Sequence, residues 1–380
     1  RKAGEVPSLD RVSTSLSRGP RLVWCPACAH PMHPAAATLY TPIYFAKPAA
    51  EPEPLRQSIE RFSPVVAGGG ADWVSSLDGC EALVADLSGC DATVGAEVVY
   101  ALHTRRIPVL CLRRAGASEL PAIEALAHPL LTCSVYAGAA EAALAVERFL
   151  TPPAQPGRIF VVEGGDGAGK QTQTAMLRAR LEGLGYPVSS IDFPHDAAMH
   201  GRLIRTLLSG AKGGIKAVNP LLFASLYSQN RFDVTPLLTH WLRRGDNVIL
   251  DRYVEANFGH QASKLPAGER PALIEALATF EHEWLAIPRA HRVTYLDLPP
   301  RDALASLSSD GTRAALDMHE TAGAEYKNGV RETYLWCSHH FEHWKRLPCL
   351  AEDGSRIGKE KLNDMLFASL EAEFVNRKDA

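Results

Sequence analysis

Apolar positions along this chain come in short runs, and polar or amphipathic stretches separate them. Arg158-Ile159-Phe160-Val161-Val162 reads as a buried strand, and Met176-Leu177-Arg178-Ala179-Arg180-Leu181 as an amphipathic helix. The same pattern predicts strands over 158–163, 188–193, 246–251, 292–298 and 348–351. Upstream, Thr41 to Phe45 is strand-like, and Ala82 to Leu87 is a second apolar run carrying Asp86 near its end. Glu97 to Leu102 reads as helix, Ile107 to Leu112 as strand, and Ala139 to Phe149 as an alanine-rich helix. Short buried strands alternating with helices imply parallel sheets, so the fold class is α/β. Residues 1–38 hold no period. Pro152, Pro153 and Pro156 make 151–157 a linker, because proline removes a backbone donor and breaks helix. The expected domains are 1–38, an irregular extension; 39–150, a smaller α/β domain; and 158–380, a second α/β domain.

Composition changes this picture little. Hydrophobic residues make up 46% and charged residues 22%, ordinary for a globular chain. A net charge of −3 supplies no basic field for nucleic acid, and no apolar run approaches the ~20 residues needed to cross a bilayer. The eight cysteines are scattered, which fits a reducing compartment. The first residue is Arg1, and Lys2, Arg11, Arg18 and Arg21 follow among Ser and Thr. That suits a processed mitochondrial precursor, or simply a fragment. Cys25, Cys28, His30 and His33 form a compact Cys-x-x-Cys and histidine cluster, readable as a zinc site or as a free-thiol loop.

The densest chemistry lies in Glu163-Gly164-Gly165-Asp166-Gly167-Ala168-Gly169-Lys170-Gln171-Thr172-Gln173. A glycine-rich loop between a strand and a helix turns backbone N–H groups onto phosphate, and Lys170 adds a point charge. The loop therefore predicts a bound nucleotide. Ser or Thr after the lysine normally helps hold Mg2+, and Gln171 stands there, with Thr172 next.

Further motifs follow in order: Asp192-Phe193-Pro194, Tyr227-Ser228-Gln229-Asn230-Arg231, and Ile249-Leu250-Asp251-Arg252-Tyr253 with Asn257 beyond. With the loop, they make residues 158–380 resemble the thymidylate kinase family of P-loop NTPase fold. The resemblance implies an ATP- and Mg2+-dependent transfer to dTMP. It implies Gly164, Gly167, Gly169, Lys170, Gln171 and Thr172 around the donor phosphates. Asp166 falls near the acceptor, Arg252 between donor and acceptor phosphates, and Asp251 near Mg2+. Tyr227 is implied to stack on the base, Arg231 and Asn257 to hydrogen-bond it, and Phe193 to belong to the same pocket. On the residues alone, Asp251-Arg252 also reads as a buried ion pair, Tyr227 as core, and Arg231 as a solvated helix charge.

Departures from that family matter for turnover. Gly167 occupies the loop position where some relatives carry arginine, so a lid around Ser308 to Glu325 should supply it. Arg313 is the one Arg or Lys between Leu307 and Tyr326, and Met318 stands where the lid arginine is expected. Asp196 sits where many relatives place an arginine on the acceptor phosphate, and His260 where many place a tyrosine against the deoxyribose. Phosphoryl transfer depends on cations around the phosphates, and a lost arginine costs roughly 10³–10⁵ in rate. This predicts nucleotide binding with weak turnover.

In the first domain, Ile43-Tyr44-Phe45-Ala46, Ala85-Asp86-Leu87, and Asp91 to Glu97 resemble the nucleoside 2-deoxyribosyltransferase family, which includes deoxynucleotide N-hydrolases. The implied fold is flavodoxin-like or Rossmann-like, with Glu97 as the nucleophile and Asp91 on the base. An acidic residue opening a helix is also favoured by the dipole alone. Three functions follow as expectations: an active thymidylate kinase, a bifunctional deoxynucleotide enzyme, or a weakly active accessory subunit with protein partners. The third is the favoured expectation, and nucleoside-kinase folds among the accessory subunits of mitochondrial respiratory complex I are its precedent.

Overall fold

A computed structural model describes residues 40, 42–46, 53–61, 65–68, 72–89, 92–117, 123, 126, 128–210, 219–303 and 323–375. Two five-stranded, wholly parallel sheets with flanking helices account for most of them. Both sheets fall within the unit Ala35–Ala380.

The first sheet holds β1 (Ile43–Ala46), β2 (Val65–Ala67), β3 (Ala82–Asp86), β4 (Val109–Arg114) and β5 (Leu131–Tyr136), in the order β2-β1-β3-β4-β5. That is the flavodoxin-like order, with its switch point between β1 and β3. Tyr44, Leu83, Ala85, Val109 and Cys111 face one side, against Val94 and Val98 of α3 (Ala92–Tyr100). Ile43, Phe45, Val84, Leu110 and Leu112 face the other, against Leu55 and Ile59 of α1 (Glu53–Glu60) and Val146 and Leu150 of α4 (Ala139–Leu150). Side chains alternate across a strand, so a sheet covered on both faces needs continuous apolar runs. α2 (Trp73–Asp78) lies between β2 and β3 in the chain.

The second sheet holds β6 (Arg158–Gly164), β7 (Val188–Asp192), β8 (Asn247–Asp251), β9 (Arg292–Asp297) and β10 (Trp344–Pro348), in the order β10-β9-β6-β8-β7. Its helices are α5 (Lys170–Gly183), α6 (Met199–Leu208), α7 (Pro220–Arg243), α8 (Val254–Ala262), α9 (Arg270–Thr279), α10 (Ala324–His340) and α11 (Lys359–Leu370). Phe160, Val162, Ile249 and Leu296 pack on Leu177 and Leu181 of α5 and Leu366 of α11. Ile159, Val161, Val248, Leu250 and Val293 pack on Leu238, Phe258 and Tyr334. The chain leaves β6 to build β7 and β8 on one side, then crosses to β9 on the other. Ligands of open α/β sheets gather at the carboxyl ends of strands beside such a reversal.

Three expectations shift. The last strand is 344–348 rather than 348–351, because Trp344 is the buried anchor. Beyond it the chain folds back as a hairpin, Ile357 N–H donating to the Cys349 carbonyl and Ala351 N–H to that of Ser355. The helix expected from Glu97 begins at Ala92 and passes into a π-turn over Ala101–Arg105. β2 and β5 were not anticipated: one has three residues, and the other is a partly polar edge strand.

Candidate nucleotide site

The phosphate loop leaves the carboxyl end of β6, and α5 starts at Lys170. Gly167 and Gly169 adopt φ of 78° and 93°, left-handed values that cost glycine little. At Gly164 a Cβ would come within 3.0 Å of the Leu296 carbonyl oxygen, so β9 leaves little room for a side chain there. Lys170 Nζ donates to the Gly165 carbonyl at 2.9 Å. Burial and the neighbouring Arg252 lower its pKa, while Asp166, Asp251 and Glu163 act the other way. Gln171 and Thr172 point to solvent in the first turn of α5.

Across the cleft, Asp251 ends β8 and Arg252 follows at φ 63°, a strained value for a non-glycine residue. Arg252 Nη2 donates to Asp166 Oδ1 at 2.5 Å, and Nη1 donates to His260 Nε2 at 3.0 Å. Burial opposes the Arg252 charge, but Asp166 and Glu163 outweigh it and hold the pKa above the usual value. His260 Nε2 therefore accepts, which leaves Nδ1 as the protonated nitrogen, 2.9 Å from the Tyr326 hydroxyl. Beneath the loop, Glu163 accepts from Tyr253 N–H at 3.1 Å and from the Tyr334 hydroxyl at 3.0 Å. Burial raises its pKa despite Arg252 and Lys170. From the hairpin after β10, Arg356 Nη2 donates to the Gly167 carbonyl at 2.9 Å.

The residues expected around the base lie on α7 and α8, with Phe193 just beyond β7. Tyr227 is half-buried, its ring 5.1 Å from Phe223. Phe193 is buried, 5.6 Å from the Tyr253 ring. Arg231 is not a solvated helix charge. It is 1% exposed and gripped by Glu281, Nε to Oε2 and Nη2 to Oε1, both at 2.5 Å. Asn257 Nδ2 joins the same carboxylate at 2.8 Å. Asp196 accepts from Arg205 Nε at 2.8 Å, so its charge has a partner rather than standing bare before a phosphate.

Lys170, Asp166, Asp251 and Arg252 are thus brought together, with Tyr227, Arg231 and Asn257 on the adjoining helices. Glu97 is not part of this group. It is fully buried in the first lobe, accepting from the Tyr44 hydroxyl at 2.7 Å near the switch point of that sheet. Asp91, most of the lid, and the Cys25, Cys28, His30 and His33 cluster lie outside the described residues. Among the described residues, no group of three or more His, Cys, Asp or Glu is arranged to hold a metal, and no helix is long and apolar enough to cross a membrane. Glu281, Arg356 and Tyr326 were missed by sequence reasoning. Each reaches the cleft by tertiary contact, with no local motif to announce it.

A glycine loop at a sheet's switch point, with a lysine and a carboxylate–arginine pair at neighbouring strand ends, defines a P-loop nucleotide-binding α/β protein. The thymidylate kinase family profile matches residues 162–347. Thymidylate kinase of Leifsonia xyli is 34% identical over 187 residues, covering 48% of this chain and 83% of that protein. The Bifidobacterium longum (strain DJO10A) enzyme is 31% identical over 174 residues, covering 46% and 80%. A probable thymidylate kinase of Thermococcus onnurineus is 29% identical over 231 residues, covering 57% and 99%. The solved Candida albicans thymidylate kinase aligns with a TM-score of 0.45 at 18% identity, over 57% of this chain and 92% of that one. The chain belongs to the thymidylate kinase family.

Proposed function

We propose that the second lobe binds ATP and a thymidine-type monophosphate but transfers phosphate slowly, and that the chain serves a larger assembly as an accessory subunit. The observation that carries the first part is the state of Arg252. The cation between the expected donor and acceptor sites is tied to Asp166 and His260, and the lid sequence offers Arg313 alone. The donor set fits ATP: loop N–H groups, Lys170, and Arg356 bracing the loop from outside. Mg2+ fits less tightly. Asp251 would hold it through water, with Thr172 nearest the usual hydroxyl position, and it would neutralise charge on the transferring phosphate. A mitochondrial assembly, with respiratory complex I as the candidate, rests on the precedent for nucleoside-kinase folds there. Size measurement of the endogenous particle tests it, and a particle of one chain's mass would end it.

A specific observation favours a second reading, an active dTMP kinase. Asp196 is compensated by Arg205, so it is a weaker obstacle than its sequence position implies. ADP release that depends on dTMP separates the two. We expect turnover well below one per second, the lower end of the range for kinases. A rate at or above that, abolished by Lys170→Ala, establishes the active enzyme instead. Deoxyribosyl transfer at Glu97 is the remaining reading. Its 0% exposure weighs against it, and base exchange lost on Glu97→Ala would restore it.

A further inference from the structure

We propose that Cys111 and Cys133 form a dithiol that a small anionic disulfide oxidises to a bridge between β4 and β5, Cys133 reacting first and Cys111 closing the bond. The site lies in the first lobe and does not depend on the nucleotide reading above.

The register of the first sheet makes the pair. β4 and β5 run parallel, with Cys111 directly opposite Cys133. Neighbouring strands lie about 4.8 Å apart, within the roughly 4.4–6.8 Å that a disulfide spans between Cα atoms. Residues opposite each other in a parallel pair project to the same face. Cys111 packs with Tyr44, Val94 and Val98 on the α3 side, and Leu131, two residues before Cys133, joins the same cluster. Alternation along β5 therefore turns Cys133 to that face as well. Both are thiols.

Position in the sheet divides the roles. β4 is flanked by β3 and β5, and Cys111 is 1% exposed. β5 is the edge strand, and Cys133 is exposed. A groove of about 690 Å³ opens beside that edge, lined among others by Thr132, Cys133, Ser134, Arg148 and Arg244, with Glu141 its one carboxylate. Two guanidiniums against one carboxylate draw an anionic disulfide such as oxidised glutathione. The Cys133 thiolate attacks one sulfur of that disulfide, breaks its S–S bond and expels one glutathione thiolate, leaving a mixed disulfide. The Cys111 thiolate then attacks the Cys133 sulfur and expels the second glutathione. Two cysteine thiols become one disulfide, one glutathione disulfide becomes two thiols, and the two cysteine protons pass through solvent to the leaving thiolates. Burial pushes the Cys80 thiol up to about 11 and that of Cys349 up to about 12, and raises Cys337 too, so these three are poor nucleophiles. An exposed bridge at a sheet edge is of the labile kind that a thiol reductant reopens.

The test is incubation of the full chain with excess oxidised glutathione, alkylation of the remaining thiols, and tryptic mass mapping. Arg113 and Arg114 lie between the two cysteines, so the bridge joins peptide 107–113 to peptide 115–148. The unaltered chain should yield that joined peptide, and dithiothreitol should release it. Cys111→Ser should abolish it and leave glutathione on Cys133, raising that adduct about tenfold or more over the unaltered chain. Cys133→Ser should abolish both products and leave Cys111 without glutathione, because a buried thiol cannot meet the oxidant first. Cys111→Ala takes the place of the serine variant if a hydroxyl is not tolerated in the apolar core, and a thermal melt checks that each variant is folded. An unaltered chain that keeps both thiols unmodified, holds glutathione on Cys133 without the joined peptide, or bridges either cysteine to another partner overturns the dithiol. Glutathione on Cys111 in a folded Cys133→Ser chain overturns the order of reaction.

Discussion

The two sheets are built alike and used differently. Each has five parallel strands, apolar cover on both faces, and a carboxylate near its switch point. In the second, Asp166 and Asp251 sit among Lys170 and Arg252 at the mouth of a glycine loop. In the first, Glu97 and Asp86 are buried beneath tyrosine hydroxyls, Tyr44 on Glu97 at 2.7 Å and Tyr136 within 3.4 Å of Asp86. A crevice at a topological switch point is thus a common inheritance of the fold. What makes it a phosphate site is the glycine loop, which brings N–H groups and a cation to one point.

The sharpest way to break that contrast is a paired substitution. Lys170→Ala removes a charged donor from the phosphates and should weaken ATP binding roughly 10–100-fold. Glu97→Gln keeps shape and the contact with Tyr44, and should leave ATP and dTMP affinities unchanged within about twofold. Calorimetric titration of both variants reads this directly. A loss of nucleotide affinity in Glu97→Gln would show that the lobes share one site, and the contrast drawn above would fall.

What the sequence revealed follows from how each signal is encoded. The loop, the end of β8 and the sheet class were legible because strand, glycine turn and helix lie in one continuous stretch. β5 was not, since Thr132, Cys133 and Ser134 break the apolar run at a sheet edge. Arg231 was legible as a residue but not as a contact. Its partner, Glu281, is fifty positions away in a π-turn. The same holds for Arg356 on Gly167 and for the chain from Arg252 through His260 to Tyr326. Pairings between distant segments depend on the packed sheet, and no local spacing carries them.

A buried acid of the second lobe makes stability depend on pH. Burial pushes the Glu255 carboxyl up to about 8 in the second lobe, and nearby Glu163 adds to the effect. A raised folded-state pKa stabilises most fully below the unfolded value, 4.5, and that stability is lost as pH rises through about 8. Buried His282 and His343 act oppositely. Their pKa values are lowered to about 3 and about 4 from 6.5, so their contribution is complete above 6.5 and lost as pH falls through the folded values. Between pH 6.5 and 7.5 Glu255 dominates. Stability should therefore decline across this window by up to about 1.4 kcal/mol. Glu255→Gln should flatten the decline. Urea melts at the two pH values measure it, and an unchanged slope in the variant would mean that the carboxyl is not held protonated.

A last expected effect concerns the seam where the lobes meet. Tyr40, packed in the first lobe with Ile43 and Phe45, hydrogen-bonds His240 Nδ1 of α7 at 2.7 Å. Burial, with Arg244 and Arg243 near, drives the His240 pKa down to about 3, so the ring is neutral and Nδ1 can accept from the phenol. Arg106 contacts Asp233 and Arg243 contacts Glu81 along the same helix, at 3.5 Å each. α7 therefore carries Tyr227 and Arg231 in its first half and the seam in its second. Tyr40→Phe removes one hydroxyl and leaves a buried acceptor, which should cost about 1–2 kcal/mol of stability. Two outcomes separate a seam that merely holds from one that communicates. If α7 is rigid packing, the melting temperature drops and dTMP affinity stays. If the first lobe tunes the base pocket through α7, dTMP affinity changes while ATP affinity, set at the far end of the cleft, does not. The buried grip of Glu281 on Arg231 and Asn257 argues for the first outcome, because it fixes the base-side groups from α8 and the π-turn independently of the seam.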